Sequence, residues 1–188
     1  AMLVTNFLLL VATCTISAYA GPGDDYSGRG TIAVLKSRSD PFTTTPADSV
    51  GCLDVHGKFV ADGDSSHEAC AIFTRLEPYP YTLSTEAGNC TWTDTSQETN
   101  TDSIYGGNDY AWSCWDGVAD IYDSMGTING SPYLFLCKLQ ACVFDAKRIP
   151  KADEALPVWP FRYGSQQMGI TPGHVELQLL WQPVGSSS

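Results

Sequence analysis

The chain has 188 residues, a formal net charge of −11 and 43% hydrophobic residues. That length suits one domain with a real apolar core, while the acidity opposes binding to nucleic-acid phosphates and to anionic membranes. The acid is concentrated: between Glu77 and Leu136 there are nine Asp and Glu and no Lys or Arg, a pattern that fits a solubilising surface or, more pointedly, a face for a basic partner.

In chain order, the first feature is a run from Leu3 to Ala20 without a charged side chain, centred on Phe7-Leu8-Leu9-Leu10-Val11-Ala12. It ends Ala18-Tyr19-Ala20 before Gly21-Pro22-Gly23. Small residues one and three places before a cut are what signal peptidase accepts, so residues 1–20 are expected to be a signal peptide and the mature protein extracellular. The apolar stretch is too short for a stable membrane anchor, and no later segment is long and apolar enough to span.

Residues 21–50, rich in Gly, Ser, Thr, Pro and Asp, read as an N-terminal arm carrying one strand at Thr31–Lys36. Residues 51–184 read as a single disulfide-bonded domain. Strand signals follow at Leu53–Val60, Ala71–Thr74, Tyr81–Thr85, Cys90–Thr93, Asp109–Trp115, Tyr133–Cys137, Ala141–Phe144 and His174–Leu179. In the last of these, Val175, Leu177 and Leu179 share one face. Only Val118–Met125 and Asp153–Val158 read as short helices. Residues 185–188 are expected to be a disordered tail. The expected fold is therefore α+β and β-rich: an antiparallel sheet with one or two short helices, stabilised by three disulfides.

Removal of Cys14 with the signal would leave six cysteines, Cys52, Cys70, Cys90, Cys114, Cys137 and Cys142. An even set in an exported chain points to disulfides. Fifteen connectivities are open. Cys52 and Cys70 bracket a strand-turn-strand, Cys90 and Cys114 bracket a turn-rich stretch, and Cys137 and Cys142 would then close a short loop. Zinc is disfavoured by the lack of a C-x-x-C pair and by three scattered histidines, His56, His67 and His174; no metal or cofactor is expected. Asn89-Cys90-Thr91 and Asn129-Gly130-Ser131 are N-x-[ST] sequons, with Asn129 the better glycosylation candidate because Asn89 adjoins a bridge cysteine.

Candidate chemistry is thin. His56, Glu68, Arg75 and His174 supply the residue types of a small ribonuclease, without a recognisable spacing. A glycosidase needs two carboxylates, which this composition offers everywhere. Trp92, Trp112, Trp115 and Trp159, with Trp181, could form a sugar-stacking platform; the competing reading is core packing around a bridge, since Trp112 and Trp115 flank Cys114. There is no G-x-S-x-G. His67-Glu68 lacks the second histidine of a zincin helix, and Asp62-Gly63-Asp64 lacks the terminal Glu of a calcium loop. Lys147-Arg148 is a dibasic pair, read as exposed rather than as a processing site.

Gly51-Cys52-Leu53-Asp54-Val55-His56-Gly57-Lys58-Phe59, followed by Cys70-Ala71-Ile72-Phe73-Thr74, resembles small cysteine-rich proteins secreted by filamentous fungi, including xylem-secreted and avirulence-type effectors. The resemblance implies no catalytic residues. It implies a secreted, non-enzymatic, virulence-type protein that binds a host protein, a host carbohydrate or a companion effector, in apoplast, xylem or host cell. Trp92, Trp112, Trp115 and Trp159 are the expected binding surface. The alternatives are a secreted hydrolase and a structural or defensive wall protein.

Overall fold

The computed structural model describes residues 26–61, 70–128 and 130–185. The proposed signal peptide, the Asp62-Gly63-Asp64 turn, His67, Glu68, Asn129 and Ser186–Ser188 lie outside the described residues.

Thirteen strands form one curled antiparallel sheet: β1 (Arg29–Lys36), β2 (Ser49–Leu53), β3 (Phe59–Ala61), β4 (Phe73–Arg75), β5 (Leu83–Thr85), β6 (Gly88–Thr91), β7 (Ser113–Trp115), β8 (Met125–Thr127), β9 (Phe135–Lys138), β10 (Phe144–Ala146), β11 (Ala155–Leu156), β12 (Trp159–Pro160) and β13 (Val175–Pro183). The longest ladder joins β1 to β13, in register from Gly30 opposite Pro183 to Lys36 opposite Leu177. On its other edge β1 pairs with β2 and, at Arg29 and Gly30, with β4. From β4 the path runs through β5 and β6 to β7; from β2 it runs through β3 to β11. On the far side, β13 pairs with β9 and β10, and β10 with β12. Because β11 and β12 are separated only by Pro157 and Val158, the pairing path returns to its start. The Val158 carbonyl also accepts the Trp112 N–H, 2.9 Å, which ties the β7 arm onto this closure.

The run Ile32-Ala33-Val34-Leu35 is continuous because β1 is covered on both faces. Ile32 and Val34 enter the main core with Leu177, Leu179 and Trp181 of β13. Ala33 and Leu35 enter a smaller cluster with Phe135 and Leu180. Strands covered on both faces read as apolar runs rather than as alternation. Within the described part of residues 21–50, β1 lies inside the sheet, and β2 runs across residue 51. Between β1 and β2, Asp40 caps a 3₁₀ turn at Pro41–Thr43, and a second turn covers Pro46–Asp48. Arg38 grips Asp48 through both Nε and Nη2 and draws this loop together.

The two expected helices are not formed. Over 118–125 there is one 3₁₀ turn, Ile121–Asp123, capped by Asp120. It stops because the Asp123 carboxylate is buried and accepts the Trp92 N–H at 2.7 Å and the Asp120 N–H at 3.0 Å. Ser124 is extended, and Met125 enters β8. Over 153–158, Asp153 takes a positive φ of 62° and Ala155–Leu156 pair with Phe59 and Val60 of β3. Both segments have an apolar face, but a sheet edge recruits them.

The disulfides are Cys52–Cys70, Cys90–Cys114 and Cys137–Cys142. The first holds the chain end that enters β4 against β2, beside the Ala71 N–H bond to the Leu53 carbonyl. The second joins directly opposed residues of β6 and β7. The third closes the tight turn after β9. Their sequence separations are 24 for Cys90–Cys114, 18 for Cys52–Cys70 and 5 for Cys137–Cys142. Loop-closure entropy predicts losses of about 3.5, 3 and 2 kcal/mol on paired Cys→Ser substitution, in that order. Urea unfolding of the three double variants should reproduce this ranking.

Candidate functional site

Three of the four tryptophans expected on a binding surface are in the core. Trp112 and Trp159 are fully buried and Trp92 is 4% exposed. They enter it from the approach to β7, from β12, which is buried throughout, and from the exit of β6. Phe73, Trp112, Trp92 and Phe144 form a column of stacked rings, with successive centroids 5.8, 5.4 and 5.9 Å apart. The Lys138 ammonium lies 4.8 Å from the Trp92 ring centroid, a cation–π contact. The column and the Cys90–Cys114 bridge belong to the same buried cluster, which favours the packing reading of these tryptophans.

Trp115 is the exception, at 44% exposure. It opens an exposed strip continuing through Val118, Ile121 and Tyr122, which are 85%, 47% and 66% exposed. Its indole lies over Gly117, where a Cβ would come within 2.3 Å of the ring. The strip is firmly mounted. Its start is tied down by the Cys90–Cys114 bridge, and its end by the Asp120 and Asp123 caps. Its exposed charges are Asp116 and Asp120.

A groove of about 930 Å³ lies on the surface beside the Cys137–Cys142 turn. Tyr105, Leu139, Phe161 and Tyr163 line it, together with Lys138 and Arg162. Arg162 is held by both carboxylate oxygens of Asp109. Burial pulls the Lys138 pKa below the ordinary lysine value, against the pull of Asp109. No sequence motif marks this groove, because its walls come from three separate segments.

The residues raised for hydrolytic chemistry are placed apart in role. His56 sits in the β2–β3 turn, where its carbonyl accepts the Cys114 N–H. Arg75 is buried between the rings of Tyr26 and Tyr81, 4.8 and 3.9 Å from their centroids, and bonds the Tyr26 carbonyl and Glu77. His174 Nδ1 lies 2.6 Å from Asp145 Oδ1, and its Nε2 lies 3.3 Å from Asp102. A carboxylate–imidazole pair is half of a general-base device, but here the outer nitrogen meets a second carboxylate rather than a hydroxyl nucleophile. Asp145 is fully buried and also accepts from Asn100 and Thr171. Gln167 extends the network, donating to Thr171 and accepting from Ser103 and the Ile104 N–H. The network fastens the 100–104 loop and the 167–174 segment to β10.

The Asn89 side-chain amide donates to the Gly117 carbonyl at 2.8 Å, and the Thr91 hydroxyl of the same sequon is buried beside the Trp115 indole. Among the described residues no helix is long and apolar enough to cross a membrane, and no His, Cys, Asp and Glu group is placed to hold a metal ion.

Replacing His174 by Ala would strip the buried Asp145 of a close partner. Losing a hydrogen bond to a buried carboxylate costs about 2 kcal/mol, which urea unfolding should register. Asp94 provides a pH test. Burial acts to raise its pKa, but hydrogen bonds from Ser96, Ser113 and Gln97 outweigh that and hold it at about 2. Its folded pKa is below the unfolded value of about 3.9. The stabilisation is therefore present above that value and is lost as pH falls toward 2. Thermal unfolding between pH 2 and pH 6 should show this acid loss, and Asp94→Asn should make it shallower.

Comparison with known proteins returns no match: no family model fits the chain, and neither a curated protein nor a solved structure is similar to it.

Proposed function

We propose that the protein is a secreted, non-enzymatic recognition protein of the effector type, which acts by binding a host protein or a companion secreted protein through the strip from Trp115 to Tyr122. The observation that carries this reading is the exposure of four large apolar side chains on a rigidly mounted segment whose only charges are acidic. Aromatic anchors of this kind dominate the energetics of protein interfaces. The stretch from Glu77 to Leu136, devoid of Lys and Arg, would steer a partner with a basic rim around an apolar pocket. The three disulfides and the proposed leader support an extracellular place of action.

Trp115→Ala and Tyr122→Ala are the test variants, alone and combined, in capture from host extract and from companion secreted proteins. A partner retained by the wild type should bind each single variant about thirtyfold more weakly, the cost of about 2 kcal/mol per anchor. Added salt should slow its association. Equal retention by the variants would overturn the reading. So would hydrolysis of an RNA or glucan panel by purified protein that is abolished by a single His or carboxylate substitution.

A further inference from the structure

The groove beside the Cys137–Cys142 turn is built differently from the strip, and its chemistry is the opposite. In a chain of net charge −11, the charged side chains lining it are both cations, Lys138 and Arg162. Arg162 is occupied by Asp109. Lys138 is not: its ammonium is half-withdrawn from water over the face of Trp92, and no described residue supplies it with a hydrogen-bond acceptor. An ammonium so placed has three donors free for a ligand's acceptor, while Asp109 and Asp123 act on it only through space.

The turn itself carries a second observation. Lys138 and Ala141 exchange both backbone hydrogen bonds at 2.9 Å, so Leu139 and Gln140 form a two-residue hairpin loop. Leu139 occupies its first position with a φ of 54°. Tight hairpin loops place glycine, asparagine or aspartate at positive φ, because a larger side chain is strained there. Here a leucine takes that place, and its side chain is 62% exposed at the mouth of the groove rather than buried. The strain is not offset by burial in the core. Strain of this kind clusters at ligand clamps and active sites.

We propose that this groove is a second binding site, for a small aromatic carboxylate. Lys138 takes the carboxylate, and Leu139, Tyr105, Phe161 and Tyr163 enclose the ring. The volume falls within the range of small-molecule sites. Phe161 and Tyr163 already meet edge to face, with centroids 4.6 Å apart, which leaves aromatic surface for a third ring. The overall acidity of the chain does not forbid an anion here, since exposed charges farther away than about 8 Å are screened at physiological salt.

The test is calorimetric titration of the full chain with 2-naphthoate and with its neutral counterpart 2-naphthamide. The acid should bind about tenfold or more tightly than the amide, the scale of one charge-assisted hydrogen bond. Lys138→Met, which keeps the stem over Trp92, should lower the acid to the affinity of the amide and leave the amide unchanged. Leu139→Gly should weaken both probes about fivefold while leaving thermal stability equal or higher, because glycine relieves the positive φ. Equal binding of acid and amide by the wild type would overturn the proposal, as would no binding of either. Undiminished naphthoate binding by a folded Lys138→Met would do the same. If Lys138→Met does not fold, the wild-type ratio and Leu139→Gly decide. The strip from Trp115 to Tyr122 contributes nothing to this groove, so its failure as a partner surface would leave these outcomes unchanged.

Discussion

The ladder between β1 and β13 is the constraint on which the rest of the structure depends. It joins the beginning of the described chain to its end, and each strand is covered on both faces. Every other strand reaches this pair directly or along a chain of paired strands. The loop entropy of such a distant pairing must be met before its contacts form. That explains the concentration of large apolar side chains on these two strands, Ile32, Val34 and Leu35 on one and Leu177, Leu179, Leu180 and Trp181 on the other. Shorter strands could not hold themselves. Most of the remaining eleven have two to four residues, and disulfides at β2, at β6–β7 and after β9 supply what their ladders lack.

The interior is settled in a second way, by aromatic stacking beside the sheet. Phe73, Trp112, Trp92 and Phe144 come from β4, the approach to β7, the exit of β6 and β10, so the column ties the two arms of the sheet to each other. Buried polar groups follow the same logic. Asp123 ends a turn by capturing the Trp92 amide, Asp94 gathers Ser96, Gln97 and Ser113, and Asp145 gathers Asn100, Thr171 and His174. Each is a carboxylate saturated by hydrogen bonds from elsewhere in the fold, the condition under which burying an acid is tolerable.

Much of the β architecture was legible in the sequence, because period and turn chemistry are local. The alternation of Val175, Leu177 and Leu179 does place one face of β13 toward the core. The pairs Cys52–Cys70 and Cys90–Cys114 are the ones that opposed strands favour. The helices at 118–125 and 153–158 were misread for a non-local reason. An apolar face on a short segment is equally served by a sheet edge, and Asp123 is claimed by Trp92 from a distant strand. The tryptophans were misplaced for a related reason. Sequence shows that Trp112 and Trp115 flank Cys114, but Trp112, on the approach to β7, turns into the core while Trp115, the last residue of β7, is exposed. The groove was illegible, since Tyr105, Lys138 and Tyr163 share no local pattern. Leu139 could have been noticed only by knowing that a two-residue loop closes there.

The distribution of satisfied and unsatisfied groups bears on where function can reside. Among the described residues, His174 touches a buried carboxylate and has a partner at each ring nitrogen, and Arg75 is enclosed by two tyrosine rings and its acceptors. Groups so committed would have to break several hydrogen bonds to take part in a reaction. Two surface features of opposite kind stand apart from these groups. One is the set of apolar side chains from Trp115 to Tyr122, set among acids. The other is Lys138, an ammonium without an acceptor, beside a leucine held in glycine's conformation. Both sit on disulfide-anchored segments, the strip beside Cys90–Cys114 and Lys138 beside Cys137–Cys142.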